Sequence, residues 1–227
     1  MLTLKGVSKS YQESAKTLDG VDLHLQRGEF LYVVGGTGAG KSSLLRLMAT
    51  EEAPTQGQVS VMGYDLGRIT PSTLRSLRQA VGYIPQNVRL IPDLSVYENV
   101  ALAMRFAHKK YAGAESRDRV EDYLRMMGLS AKRAKPAGTL SGGEAQRVAA
   151  ARAFVRQPDL IIADEPTGAQ DRDFTWALMD LLIKANKQGA TVVVATHDRE
   201  IVRRVRKKCA ILNGGRLTLE EHHVCTY

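Results

Sequence analysis

The stretch GGTGAGKSS, Gly35 to Ser43, places four glycines in nine residues, between the apolar run FLYVV and the sequence LLRLMA. Glycine loses more conformational freedom on folding than any other residue, so such a cluster weakens a chain unless the bare backbone is itself used. The spacing Gly35-x-x-x-x-Gly40-Lys41-Ser42 fits a phosphate-binding loop, and it has the setting such a loop requires, a strand before and a helix after. Amides without Cβ neighbours can converge on a phosphate, while the following helix turns its N-terminal dipole, roughly half a positive charge, toward the same anion. Lys41 is then expected to reach the β- and γ-phosphates, and the Ser42 hydroxyl to ligate Mg²⁺.

At 227 residues with 44% hydrophobic content, the chain can bury one sizeable core, and a single domain with a subdomain is expected. Lys and Arg number 32 against 24 Asp and Glu; the resulting charge of +8 favours phosphates, nucleic acid or an anionic membrane surface and identifies none of them. Cys209 and Cys225, with no basic-then-apolar leader at MLTLKGVSKS, read as reduced thiols in a protein that is not secreted. No apolar run approaches the ~18 residues that cross a bilayer, so action at a membrane is expected to go through another protein.

Strand-like alternation in LTLKGV and VDLHLQ precedes the buried-strand run FLYVV, and VSVMG and VGYIP read as further short strands. From about 95 to 156 the chain carries polar-apolar periodicity with hardly any strand signal, which predicts a helical insert. Strands return at LIIAD, TVVVATH and CAILNGG, separated by helical patterns in FTWALMDLLIKANKQG and REIVRRVRKK. This alternation predicts an α/β fold with a mostly parallel sheet covered by helices. One domain over 1–227 is expected, its core at about 1–85 and 157–227 and its helical subdomain at about 86–156.

A nucleotide site also needs a strand that ends in carboxylates. LIIADE supplies Asp164 and Glu165. The first can enter the Mg²⁺ shell; the second, directed differently because it is one residue later, can orient or deprotonate an attacking water.

LSGGEAQR, Leu140 to Arg147, is by itself a Ser N-cap with glycines before an Ala-rich helix. Taken with Gly35–Ser42, Asp164–Glu165, Gln86 and ATHD, it resembles the ATP-binding cassette (ABC) ATPase family over essentially the whole chain. The resemblance implies a P-loop NTPase fold with a RecA-like core, an antiparallel β subdomain and an inserted helical subdomain, performing Mg²⁺-dependent ATP hydrolysis. ATP would be bound by Gly35, Gly36, Thr37, Gly38, Ala39, Gly40, Lys41, Ser42 and Ser43, with Tyr11 of VSKSYQ stacking on adenine. The metal would be held by Ser42, Gln86 and Asp164, and catalysis would fall to Glu165, His197 and Gln86, His197 contacting the γ-phosphate. Ser141, Gly142, Gly143 and Glu144 would close on ATP held by the opposite protomer of a head-to-tail homodimer formed with ATP, and Asp171 of GAQD would carry communication between its two sites.

The stretches LRQAVGYIPQNVRLIPDLSVYENVALAM and ATHDREIVRRVRKKCAILNGGRL resemble the bacterial cell-division branch of that family, which shares most features with lipoprotein-release and macrolide-export branches. The implied place is cytoplasmic and peripheral, on the inner face of the bacterial membrane, where an integral membrane partner regulates peptidoglycan hydrolases at the septum. Two positions depart from the family pattern. Gln170 replaces an apolar residue before Asp171, which implies altered coupling between sites, and Pro85 restrains the approach to Gln86, which implies a stiffer hinge. An ATP-dependent clamp with negligible turnover is the alternative of another class, disfavoured by Glu165 and His197 together. In REIVRRVRKK, Ile201, Val202 and Val205 fall on one helical face and Arg203, Arg204, Arg206, Lys207 and Lys208 on the other, a solvated basic face or a contact for anionic lipid. Nucleic acid is the weaker reading, since no RNA-binding aromatic motif or Cys/His finger pattern is present.

Overall fold

The computed structural model describes residues 1–12, 15–105, 114–166 and 172–220. Strands β1 (Leu2–Gln12), β2 (Ala15–Leu25) and β3 (Phe30–Val34) lead through the glycine loop into helix α1 (Lys41–Met48). Strands β4 (Gln56–Val61) and β5 (Tyr64–Asp65), helix α2 (Pro71–Ala80) and strand β6 (Val81–Ile84) follow. Then come helices α3 (Val96–Arg105), α4 (Ala114–Met126) and α5 (Gly142–Phe154), the last two separated by 3-10 turns at Ser130–Lys132 and Ala137–Thr139. Strand β7 (Leu160–Asp164), helix α6 (Arg172–Lys187), strand β8 (Thr191–Ala195), helix α7 (Arg199–Arg204) and strands β9 (Lys208–Asn213) and β10 (Arg216–Glu220) close the order.

Two sheets result. The first is antiparallel, in the order β2-β1-β4-β5; the second runs β10-β9-β3-β8-β7-β6, parallel except for the antiparallel edge strand β10. Strands β3, β7 and β8 are buried along their whole length, which is why they read as unbroken apolar runs rather than alternating ones. Their successive side chains enter two different cores. Tyr32, Val34, Ile161, Ala163, Val192 and Val194 pack with Val100, Leu124 and Val148 from the helices of the 96–154 region. Leu31, Val33, Leu160, Ile162, Val193 and Ala195 pack with Leu45 of α1 and with Leu4, Val21 and Val59 of the antiparallel sheet. Each such aliphatic side chain contributes roughly 1.5–3 kcal/mol when fully buried.

The chain thus combines a parallel sheet, an antiparallel sheet and a helical region, as expected of an ABC cassette. Three features differ from the sequence reading. Helix α2 was not anticipated, because PSTLRSLRQA buries only Leu77; its start is nonetheless marked by Pro71 and by the Thr70 hydroxyl, which accepts from the Thr73 amide at 3.3 Å. The basic helix stops at Arg204: Val205 leaves helical geometry at φ −109° and ψ 83°, and Lys208 is drawn into β9 by its pairing with Leu31. Cys209 is buried and disulfide-bonded, which corrects the expectation of a reduced thiol there, and Cys225 lies outside the described residues. Among the described residues, no helix is long and apolar enough to cross a membrane.

Candidate active site

The site is built where parallel strands end. β3 lies between β9 and β8, and as the chain leaves it, a Cβ on Gly35 would stand 2.2 Å from the Leu212 carbonyl oxygen of β9. Gly40 takes φ +101°, and a Cβ there would meet the Thr17 carbonyl oxygen at 2.7 Å. At these two positions the loop's path excludes any side chain. Gly40 is also the N-cap of α1 and no side chain caps that helix, so its first-turn amides remain for another acceptor. Lys41 is 8% exposed, and its ammonium donates to the carbonyls of Gly35 at 2.9 Å and Gly36 at 3.2 Å.

Two strands along, β7 delivers its carboxylates. Asp164 pairs in register with Ala195 of β8, and the Glu165 amide donates to the Ala195 carbonyl at 3.0 Å. Glu165 then adopts φ +45°, a left-handed conformation that costs a side-chain-bearing residue roughly 1–2 kcal/mol. Its carboxylate reaches both neighbours: Oε1 lies 3.4 Å from Lys41 Nζ and Oε2 lies 2.7 Å from His197 Nδ1, just beyond β8. The Glu165 side chain is 11% exposed and that of His197 73%, so the carboxylate is enclosed and the imidazole opens to solvent.

Asp164 is buried deeper still. Burial pushes its carboxyl above the ordinary range, against the hydrogen bond offered by the Ser42 hydroxyl and the charges of Arg46 and Lys41. Its Oδ1 is sealed from solvent and has no hydrogen-bond partner. Asp164 and Gln86 line one open cavity of about 450 Å³ with Arg46, Glu52 and Tyr83. An orphaned carboxylate oxygen, a hydroxyl and an amide suit a hard cation such as Mg²⁺, which binds few protein groups and completes its shell with phosphate and water. No group of three or more His, Cys, Asp or Glu able to hold a metal occurs among the described residues.

Tyr11 sits on β1, 53% exposed, its hydroxyl donating to Glu52 Oε2 at 2.7 Å and lying 3.2 Å from the Ser43 hydroxyl. Thus Tyr11, Ser43, Lys41, Asp164, Glu165, His197 and Gln86 occupy one region. Ser141, Gly142, Gly143 and Glu144 do not join it by any hydrogen bond or ion pair among the described residues. They form the start of α5, where Ser141 and Glu144 make a reciprocal capping box and Lys132 pairs with Glu144. A Cβ on Gly142 or Gly143 would meet nothing within 4 Å, so this helix start is open to an approaching surface. Asp171 and Gln170 lie outside the described residues. Sequence reasoning missed Arg46 and Glu52, whose pairing at 3.4 Å joins positions six apart across a helix end, and no local motif marks them.

Residues 18–168 match the family model described as ABC transporter. The chain is 40% identical over 223 residues to the cell division ATP-binding protein FtsE of Mycobacterium tuberculosis, covering 97% of this chain and 96% of that protein. It is 39% identical over 222 residues to the methionine import ATP-binding protein MetN of Caulobacter vibrioides, covering 97% of this chain and 66% of that one. Among solved structures, the dimeric post-hydrolysis state of the ATP-binding cassette MJ0796 bound to ADP and Pi superposes with a TM-score of 0.90 at 34% identity, covering 97% of this chain and 98% of that one.

Proposed function

The chain belongs to the ABC transporter family, and we propose on that footing that it is the ATP-binding and hydrolysing subunit of a membrane complex of the FtsE type, moving an FtsX-like integral membrane partner to regulate septal peptidoglycan hydrolysis. It is an ATPase. The observation that carries the division of labour is the convergence of Lys41, Asp164, Glu165 and His197 at the ends of three parallel strands.

The Lys41 ammonium is shared by two loop carbonyls and Glu165. Phosphate oxygens would take over from these partners. When ATP enters, Lys41 turns to the β- and γ-phosphates, the uncapped amides of α1 take the same anion, and Glu165 loses its cation but keeps His197. Its free oxygen accepts a proton from the attacking water, and His197 fixes the other oxygen. Ser42, Asp164 and Gln86 would hold Mg²⁺, which would supply positive charge against the negative charge that develops on the phosphate in the transition state. The open start of α5, with Ser141, Gly142 and Gly143, would present its amides to ATP held by a second copy, giving two sandwiched nucleotides per ATP-bound homodimer.

The partner's place is supported by a cavity of about 610 Å³ that adjoins Gln86 through the shared walls Glu51, Tyr83, Pro85 and Arg152. A lipid contact is supported less than a whole basic helix would allow. Arg204 pairs with Glu200 at 2.8 Å and lies over the Trp176 ring, Lys207 lies over Phe30, and Lys208 pairs with Glu29, leaving Arg203 and Arg206 as the charges placed for anionic headgroups. Together these support a peripheral place on the cytoplasmic face of the membrane. The match to MetN keeps a transport reading as the second one. Capture of the Glu165→Gln protein from detergent-solubilised native membranes with Mg·ATP separates them by mass spectrometry. A division-site membrane protein linked to peptidoglycan hydrolases supports the proposal; a permease of an importer or of a lipoprotein or macrolide exporter overturns it and leaves the ATP chemistry in place.

A further inference from the structure

Glu52, just beyond the end of α1, gathers three partners from two separate parts of the chain. The Tyr11 hydroxyl donates to its Oε2 at 2.7 Å, the Lys9 ammonium lies 3.2 Å from the same oxygen, and the Arg46 guanidinium lies 3.4 Å from Oε1. Lys9 is itself fixed by donating to the Ala53 carbonyl at 2.9 Å, and it stands 5.1 Å over the centroid of the Tyr11 ring. Burial alone would raise the Glu52 carboxyl, but the hydrogen bonds from Tyr11, Lys9 and Arg46 and the Lys9 charge together hold the group below its ordinary range.

A tyrosine more than half exposed on a strand would ordinarily move among rotamers. Here one end of the ring is tied to Glu52 and to Ser43, and one face carries a cation. The Ser43 contact ties the ring to the same helix that begins with Lys41, so ring and phosphate loop are held at a fixed separation. Glu52 also lines the cavity that holds Asp164 and Gln86. We propose that Glu52 is a positioning residue for the nucleotide base, acting through Tyr11, whose ring it fixes as a stacking platform at a set distance from the phosphate loop. This rests on the reading that Tyr11 stacks on adenine. The gain is preorganisation: a ring already ordered does not have to be immobilised when nucleotide binds.

The test compares KM for Mg·ATP with inhibition of hydrolysis by Mg²⁺-bound inorganic tripolyphosphate, which carries phosphates and no base. Tyr11→Ala is expected to raise KM about tenfold, the scale of one lost base–aromatic stack. Glu52→Ala and Tyr11→Phe should each raise it by about three- to tenfold with kcat and tripolyphosphate inhibition retained, and the double variant should be no worse than the weaker-binding single one. Glu52→Gln keeps an acceptor for the hydroxyl and should recover most of the loss. A Glu52→Ala enzyme with KM within about twofold of wild type, beside a weakened Tyr11→Ala enzyme, overturns the role of Glu52. Equal weakening toward ATP and tripolyphosphate overturns it as well, because that would be a general loosening of α1. An unchanged KM in Tyr11→Ala overturns the stacking reading itself, a separately visible failure.

Discussion

Glu165 Oε2 stands 2.7 Å from Nδ1 of His197. The two residues are 32 positions apart and meet because β7 and β8 are parallel neighbours whose register sets Asp164 opposite Ala195. With its other oxygen 3.4 Å from Lys41, the carboxylate is held on both sides. Glu165→Gln is therefore expected to lower steady-state ATP turnover by ~10²–10⁴-fold, the range for losing a positioned general base. Equilibrium ATP binding should persist and ATP-bound dimers should accumulate in size-exclusion chromatography. Near-wild-type turnover in this variant would remove Glu165 as the base.

If His197 works by fixing Glu165, its loss should matter only while Glu165 is present. His197→Ala is expected to lower kcat by about 10–100-fold alone and to add little in the Glu165→Gln background, as residues acting as a unit do. Single-turnover rates for the two single variants and the double variant form the required cycle. Independent, additive losses would assign His197 a contact of its own with the phosphate.

Lys41→Ala should act on binding. Removing a charge-assisted donor costs ~1.5–3 kcal/mol, so ATP affinity by calorimetry is expected to fall about 10–150-fold. Unchanged affinity would count against the loop as the phosphate site.

What could be read from the sequence was what is local. Gly35 to Ser42 carries its own strand-loop-helix context, and Asp164 and Glu165 close an apolar run, so both ends of the site were visible before any pairing was known. The distance from Glu165 to His197 was not, since it depends on strand order, which a sequence does not print. Glu52 was missed for the same reason: its meaning comes from Tyr11 and Lys9, more than forty positions away on β1. The basic helix was overextended because Val205 continues the apolar spacing of Ile201 and Val202, yet the pairing of Lys208 with Leu31 ends the helix early. Here a sheet contact overrode a helical period.

Asp164 offers a prediction in which intrinsic stability and stabilisation by Mg·ATP move in opposite directions. Burial raises its carboxyl above the ordinary value of 3.8, and Oδ1 has no partner. Between 3.8 and the raised value the folded chain therefore binds more protons than the unfolded one, so stability falls as pH rises through that window, and above it the full cost of the buried charge is present. Asp164→Asn removes the charge in nearly the same volume. In the absence of nucleotide and metal its Tm at pH 7 should exceed that of the wild type, by about 2–4 °C for each kcal/mol relieved, and the gap should narrow as pH is lowered toward 4. The wild type should gain Tm on adding Mg·ATP, and Asp164→Asn should gain much less, because the orphan oxygen is the one a cation would satisfy. Differential scanning fluorimetry across pH, with and without Mg·ATP, reads all three effects. A variant less stable than wild type at neutral pH, or a gap that does not change with pH, would show that Asp164 is held by structural contacts and does not await a cation.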